Sequence, residues 1–186
     1  PLFIYNSAEL ILILEKIHTN SAEIIAKQSM LPEAAQEKFF NLLLINELQS
    51  TNEIESIHSS KKEISEALSK KDSTSPNFRR FAGMASLYSY LDKEVQILEP
   101  KDFRKIYDVL VGDDVSKENI LDGEVFRKGT VSVYPGNDII HHGLATEDNN
   151  NNGLADLIRF MNYDNLPKLY KILIGHYYFE YIHPFY

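Results

Sequence analysis

The sequence predicts a mainly α-helical protein: a helical bundle that carries one β-hairpin and is preceded by a helical N-terminal region. Over most of the 186 residues, apolar side chains recur three and four positions apart, which is the period of one helix face. An alternation of period two, typical of a strand, occurs between Glu124 and His142. Proline, asparagine and serine separate the helical stretches, as expected of helix starts and turns.

The composition argues against several classes of function. Lys and Arg number 19 against 27 Asp and Glu, a net charge of -8, whereas nonspecific nucleic-acid binding needs a positive surface. The chain has no cysteine, so it can form neither disulfides nor thiolate metal sites. The apolar run Leu10–Leu14 is too short to span a membrane and predicts a buried helix. We therefore expect a cytoplasmic protein with no nucleic-acid and no membrane partner.

Four helices are predicted in the N-terminal region: residues 6–18, residues 20–29, a long stretch after Pro32, and residues 60–71. Asn6 with Glu9, and Asn20 with Glu23, have the spacing of a capping box, in which the two side chains satisfy backbone N–H groups at a helix start. Pro32 suits the first position of the third helix, where no N–H is needed.

The stretch Ser50–Ile57 lies between the third and fourth of these helices. A hydroxyl or amide side chain among residues 50–52 could cap a new helix. Glu53 or Glu55 would then lie in its first turn, where the helix dipole favours an acid. Residues 72–77 are rich in turn-forming residues, so we place a domain boundary there. Residues 1–75 form the N-terminal region and residues 76–186 the core.

The core is predicted to contain helices over residues 78–96, 100–111 and 154–162, and a last helix that begins at Pro167. The run Asn149–Asn152 is interpreted as a polar loop that ends where the third of these helices starts. Between the second and third helices, the residues that alternate from Val125 to Val133 predict a strand. Tyr134–Asn137 has the composition of a type II turn, and Ile139–His141 would form the returning strand.

An isolated hairpin is only marginally stable, so we expect this one to lie on the helical body. His141 and His142 are adjacent, and neighbouring side chains of a strand point to opposite faces. No third ligand stands at a spacing typical of metal sites, and we therefore expect no metal ligand in this chain.

The last helix is predicted to end within the segment His176–Tyr186. Ile172, Phe179 and His183 recur at helical spacing and share one face. Pro184 ends the helix, because proline disfavours the helical conformation of the residue before it. His183 is thus placed at a helix C-terminus, which leaves two interpretations open. Its imidazole could cap the last carbonyl groups, or it could move a proton, since histidine titrates near neutral pH.

His183, Pro184 and Phe185 resemble the start of the Fic-domain signature, His-Pro-Phe-x-(Asp/Glu)-Gly-Asn-Gly-Arg-x-x-Arg, and the sequence ends within that signature at Tyr186. The run Phe126–Val133 is similar to the flap, a hairpin that precedes the signature in this family. Thr51 and Glu55 match the hydroxyl and the acid of the family's inhibitory motif, (Ser/Thr)-x-x-x-Glu-(Gly/Asn), whereas Ser56 departs from it. The chain is therefore identified as a Fic-like protein with an N-terminal inhibitory helix.

This resemblance implies a protein adenylyltransferase that transfers AMP from ATP to a Ser, Thr or Tyr hydroxyl of a target protein, with Mg2+ whose ligands are expected beyond Tyr186. His183 would be the catalytic base, and Phe185 would anchor the following loop in the core. The implied site also includes nucleotide-binding Glu55, Tyr178 and His183, regulatory Thr51 and Glu55, and target-docking Val131, Ser132, Val133 and Tyr134. The 186-residue chain by itself is expected to be autoinhibited and to turn over negligibly.

Two other functions stay open at this point. Related Fic-fold proteins transfer phosphate or phosphocholine, and the absent part of the signature helps to separate them. Outside the enzymes, a non-catalytic helical module could bind a partner strand at the edge of the hairpin. The sequence does not decide between a monomer and a homo-oligomer, and it does not identify the target.

Overall fold

The computed structural model describes residues 4–54, 58–69, 81, 83–84, 96–111, 115, 117–134, 138–163 and 165–186. Within these residues it contains six α-helices and one two-stranded antiparallel sheet, which confirms the predicted mainly helical architecture with one hairpin. The chain divides into two compact units, Pro1–Lys61 and Lys62–Tyr186. The predicted boundary at residues 72–77 lies outside the described residues. Among the described residues, no helix has the length and apolar character needed to cross a membrane.

The first unit contains helices α1 (Ala8–Ser29) and α2 (Glu33–Ile54). The prediction of two helices separated near Asn20 is wrong, because no glycine or proline interrupts the stretch and Asn20 lies inside α1. Ser7, not Asn6, caps this helix, and its hydroxyl accepts a 3.0 Å hydrogen bond from Leu10 N–H. Pro32 lies one residue before α2 and not at its first position, and its carbonyl accepts from the N–H groups of residues 35 and 36.

The apolar run of α1 is not buried, contrary to the prediction, since α1 has no buried residue. An apolar helix face is buried only where another layer of structure covers it, and the side chains of α1 are not covered in this way. The new helix predicted to start among residues 50–52 is also wrong, because α2 continues to Ile54. Asn52 is fully buried there, and its side-chain amide donates a 3.0 Å hydrogen bond to Ser59 Oγ.

The second unit contains α3 (Lys61–Ser69) apart from its first residue, together with α4 (Pro100–Val111), α5 (Glu147–Tyr163) and α6 (Lys168–Ile182). The first, second and last of these were predicted within a few residues. Of the helix predicted over residues 78–96, the described residues 81, 83 and 84 are helical, whereas residue 96 is not.

The start of α5 differs from the prediction, because the asparagine run lies within the helix and does not form a loop. Thr146 Oγ1 accepts a hydrogen bond of 3.3 Å from Asn149 N–H, as an N-cap residue does. The side chains of Asn149 and Asn151 donate to the carbonyls of Ala145 and Glu147. The polar side chains of the run therefore support the first turn of α5.

A core forms where α5 and α6 pack together. Its buried centre consists of Phe126, Leu154, Leu157 and Ile182. Gly175 permits the close approach of the two helices, because a Cβ at this position would lie 2.7 Å from Met161 Sδ. The partly buried side chains packed on this centre include Phe103, Leu144, Met161, Tyr178, Phe179 and Phe185.

The hairpin consists of β1 (Ser132–Val133) and β2 (His141–His142), with Ser132 paired to His142 and Val133 to His141. Of the turn predicted at Tyr134–Asn137, residues 135–137 lie outside the described residues. The first strand is much shorter than the predicted 125–133, because carboxylates and not a second strand accept the N–H groups of its first half. Glu147 accepts from residues 124–126 and Asp122 from residues 128 and 129.

Candidate active site

His183 follows the last residue of α6 and has a left-handed backbone, with φ 49° and ψ 64°. Its N–H still donates to Phe179 O at 2.9 Å, which closes the last helical turn. A non-glycine residue adopts this conformation at a cost. Pro184 reduces that cost relative to continuing the helix, because it disfavours the right-handed helical conformation at the residue before it. The His-Pro pair thus places His183 at the end of the helix, as predicted.

The carbonyl groups at this helix end are capped by residues other than His183. Arg127 Nε donates to His183 O at 2.7 Å, and Arg127 Nη2 donates to Ile182 O at 3.2 Å. Ile182 O also accepts from Leu144 N–H at 3.0 Å. Tyr181 O lies 2.8 Å from His141 Nε2, which donates to it. The carbonyls of residues 181, 182 and 183 are therefore capped without the imidazole of His183, whose backbone hydrogen bond is with Glu180.

Arg127 is fully buried, whereas the sequence predicted for it a place in a strand and in the flap-like run Phe126–Val133, with no contact to His183. Besides its two contacts with the end of α6, its Nη1 donates to Gly129 O. Its backbone N–H donates to Pro184 O at 3.3 Å. A cation is favourable here because the C-terminal end of a helix carries partial negative charge. In the sequence, this arginine shares an alternating face with three valines. A charged side chain on such an apolar face is expected to be buried and to need hydrogen-bonding partners, and this pattern could have revealed its role.

The environment of His183 favours its neutral form. Burial is the main cause that lowers the pKa of the imidazole below its usual value, and the nearby charges of Arg127 and His141 lower it further. Glu180 acts in the opposite direction. Part of this opposing effect of Glu180 comes from a hydrogen bond between its backbone and the ring. A neutral imidazole keeps one unprotonated nitrogen, which can accept a proton at neutral pH.

The residues after His183 are held against the same core. Phe185 packs on the buried centre as predicted, and its ring lies 5.6 Å from that of Phe126. Tyr186 Oη donates a 2.9 Å hydrogen bond to Asp122 Oδ1. The pKa of the Asp122 carboxyl is lowered, first by the N–H of Lys128, and Tyr186 contributes to the same effect. The chain is therefore fixed in place up to its last residue.

The hairpin passes close to His183. A Cβ added to Gly143, directly after β2, would lie 3.0 Å from His183 Cβ. The carbonyls of Val131 and Val133 accept hydrogen bonds from the returning strand, at residues 143 and 140. Since successive residues of a strand alternate in direction, the backbone groups of Ser132 face the opposite edge. Tyr134, the next residue after β1, is exposed.

The other predicted site residues are placed as follows. Tyr178 is half-buried on α6, and its ring lies nearly parallel to that of Tyr181, 6.3 Å away. Burial raises the pKa of its phenol. Thr51 is half-buried in the last turn of α2, in the first compact unit. Glu55 lies outside the described residues. The nucleotide-binding and regulatory roles of these residues stay predictions.

The model of the Fic/DOC family matches residues 97–186 of this chain. The structure is similar to the crystal structure of a Fic family protein from Desulfovibrio desulfuricans, with a TM-score of 0.72 and 20% sequence identity. That similarity covers 100% of this chain and 54% of the other protein, so this chain spans about half the length of that relative. At this identity the likeness concerns the fold. No match was found among curated protein sequences.

Proposed function

Because residues 97–186 of this chain belong to the Fic/DOC family, which is generally of transferase type, we propose that the protein transfers AMP from ATP to a hydroxyl group of a target protein. The observation that carries this proposal is the state of His183. Arg127 binds the last two carbonyl groups in place of the imidazole, and burial lowers the pKa of the imidazole, which favours its neutral form. That is the condition in which a histidine acts as a general base.

In the proposed reaction, the hydroxyl oxygen of a Ser, Thr or Tyr of the target attacks the α-phosphorus of ATP. A bond forms between that oxygen and the phosphorus, and the bond from the α-phosphorus to the oxygen bridging to the β-phosphate breaks. The hydroxyl proton passes to His183, and pyrophosphate leaves. Such assistance by a positioned base contributes roughly 10²–10⁴-fold to a rate. The lowered pKa of His183 supports this role, since the ring is then neutral before the reaction.

The hairpin edge is the proposed docking site for the target. Ser132 directs its backbone N–H and carbonyl away from β2, and Val131 and Val133 lie on either side of it. An extended segment of the target could pair with these groups by strand addition. Tyr134, exposed at the end of β1, would contact the target side chain next to the pairing. This arrangement would bring a target hydroxyl near His183, because Gly143 directly follows β2 and abuts that histidine.

ATP is the proposed substrate, with Tyr178 beside the nucleotide and Mg2+ bound to its phosphates. Among the described residues, no group of three His, Asp or Glu side chains could hold a metal ion. The described residues therefore do not form a metal site of their own, and in this proposal the phosphates of ATP would hold the ion. Mg2+ commonly binds through substrate phosphates with few protein ligands.

The experiment compares His183→Ala with His176→Ala in the full-length protein. His176 is exposed on the same helix, two turns earlier, so it controls for the loss of an imidazole from α6. The measurement is transfer of label from ATP labelled at the α-phosphate to protein hydroxyl groups. We expect His183→Ala to lower transfer roughly 10²-fold or more, and His176→Ala to leave it unchanged. Normal transfer by His183→Ala would overturn the assignment of the base.

The same assay separates the alternatives. Label transferred only from the γ-phosphate of ATP would indicate phosphoryl transfer, and transfer only from a choline-containing nucleotide would indicate phosphocholine transfer. Either result would replace AMP as the transferred group. Binding of an extended peptide at Ser132 without any nucleotide-dependent labelling would favour the non-catalytic module.

A further inference from the structure

Arg127 combines full burial with the absence, among the described residues, of a carboxylate in direct contact, although the charge of Asp122 acts on it from farther away. Among the described residues it forms no salt bridge, although a buried cation is normally paired with a carboxylate. Its guanidinium is instead surrounded by backbone carbonyls, of which those of Ile182 and His183 belong to the end of α6. The planar group donates to both of them at once, which a lysine cannot reproduce.

The backbone of Arg127 is held from two sides. Its N–H donates to Pro184 O at 3.3 Å, and its carbonyl accepts a 3.1 Å hydrogen bond from the buried side chain of Asn150 on α5. Arg127 is thus fixed to α5 by its carbonyl and to the His-Pro segment by its N–H and side chain. Displacement of the arginine would move the backbone at His183 with it.

Gly143, which follows β2, lies against both Arg127 and His183. A Cβ at this position would overlap Arg127 Nη2 and would lie 2.8 Å from Val131 Cγ1 and 3.0 Å from His183 Cβ. These contacts are tighter than ordinary van der Waals distances, so the space between Arg127 and His183 has no room for a methyl group. The hairpin, the guanidinium and the candidate base therefore form one packed unit.

We propose that Arg127 is a positioning residue for His183, whose left-handed backbone turn it holds by binding the last carbonyl groups of α6. The role of His183 as base rests on the proposed function, whereas the geometry does not depend on it. A stability role alone does not require a charge, because buried ionic groups can often be replaced by apolar ones without loss of stability. Two nitrogen donors of the guanidinium bind the carbonyl groups at the end of α6, and they thereby set the position of His183, the residue that would accept the proton.

The charge of Arg127 has a measurable consequence for His183. The groups that face the imidazole are Arg127 and His141, which lower its pKa, and Glu180, which raises it, with burial as the largest cause. Removal of the guanidinium should therefore raise the pKa of His183. A lysine would keep the positive charge but lose the planar contact with both carbonyls. The two substitutions thus separate charge from geometry.

The test uses Arg127→Met and Arg127→Lys in the full-length protein, with Arg159→Met as the control. Arg159 is exposed on α5 and pairs only with Asp156 among the described residues. Two quantities are measured: the pKa of His183 by NMR titration of its imidazole, and kcat and KM for AMP transfer. We expect Arg127→Met to raise that pKa and to lower kcat up to about 10²-fold with little change in KM, as small displacements of a reacting group do.

We expect Arg127→Lys to keep the pKa of His183 low and still to lose kcat, and Arg159→Met to change neither quantity. A folded Arg127→Met protein with unchanged kcat and unchanged His183 titration would overturn the proposal. If Arg127→Met does not fold, the proposal is tested with Arg127→Lys and Gly143→Ala. Both variants disturb the turn at His183 and keep a positive charge at residue 127. Normal kcat in both of them would overturn the proposal. If His183→Ala itself transfers AMP normally, the proposed function fails, and the titration still tests whether Arg127 controls His183.

Discussion

Phe185 stacks on Tyr107, with ring centroids 4.1 Å apart and 12° between the ring planes. Tyr107 lies on α4, whereas Phe185 comes two residues after the candidate base, so the stack joins the His-Pro segment to a helix far from it in sequence. Burial of the same tyrosine raises the pKa of its phenol. The aromatic contact therefore fixes the direction in which the chain leaves α6.

This stack predicts that Phe185→Ala destabilises the protein by roughly 2–4 kcal/mol, somewhat less than truncation of a fully buried phenylalanine. Tyr107→Ala should cost less, and the two changes should not add. A double-mutant cycle by urea denaturation should give a coupling of about 0.5–1.5 kcal/mol, the usual range for an aromatic pair. Strictly additive effects would show that the rings only fill space independently.

Glu147 stabilises the segment before β1 by hydrogen bonds. Its carboxylate accepts hydrogen bonds from three successive N–H groups, those of Glu124, Val125 and Phe126, at 3.0, 2.6 and 3.0 Å. Desolvation raises the pKa of this carboxyl, but the three hydrogen bonds and Lys128 outweigh it, and the pKa is lowered below its usual value. The segment before β1 is thus held to the start of α5.

We predict that Glu147→Gln lowers the free energy of unfolding by about 1–3 kcal/mol near neutral pH, because the charged acceptor of three donors is lost. The contribution of a carboxyl with a lowered pKa is present above its unfolded value and disappears as the pH falls through the folded value. The difference between the two proteins should therefore vanish in acid. Asp148→Asn, an exposed neighbour, serves as control and should change stability little; an equal loss in both variants would contradict the specific role of Glu147.

The features that depend on neighbouring residues were predicted best from the sequence. Pro167 and Pro184 mark both ends of α6, and the position of His183 follows from its neighbours. The long first strand failed, because side chains distant in sequence, such as Glu147, take the N–H groups that a partner strand would use. The capping of His183 by Arg127 joins residues 56 positions apart. A contact between residues so far apart in sequence produces no periodic pattern. The sequence therefore left both interpretations of His183 open.

The lowered pKa of His183 predicts a further dependence of stability on pH. Its folded pKa lies below its unfolded value of about 6.5, so the unfolded chain binds a proton more readily. The free energy of unfolding should consequently fall as the pH drops from above 6.5 towards the folded pKa. Urea denaturation at a series of pH values should show a smaller loss for His183→Gln than for the unchanged protein. Identical pH profiles of stability would show that the imidazole is not held neutral by the fold.

The last prediction concerns regulation by the first unit, where Thr51 lies in the final turn of α2. If Thr51 and Glu55 act as the inhibitory pair, Glu55→Gly should raise AMP transfer or self-modification in the full-length protein. The coupling between a regulatory and an active site is typically 1–3 kcal/mol, so the increase should be roughly 5–150-fold. Glu53→Gly is the matched control, because it makes the same change of residue type two positions earlier. An equal response of both variants, or none, would contradict an inhibitory role of Glu55. A rise confined to Glu55→Gly would assign inhibition to that carboxylate, since the control carries the same loss of charge.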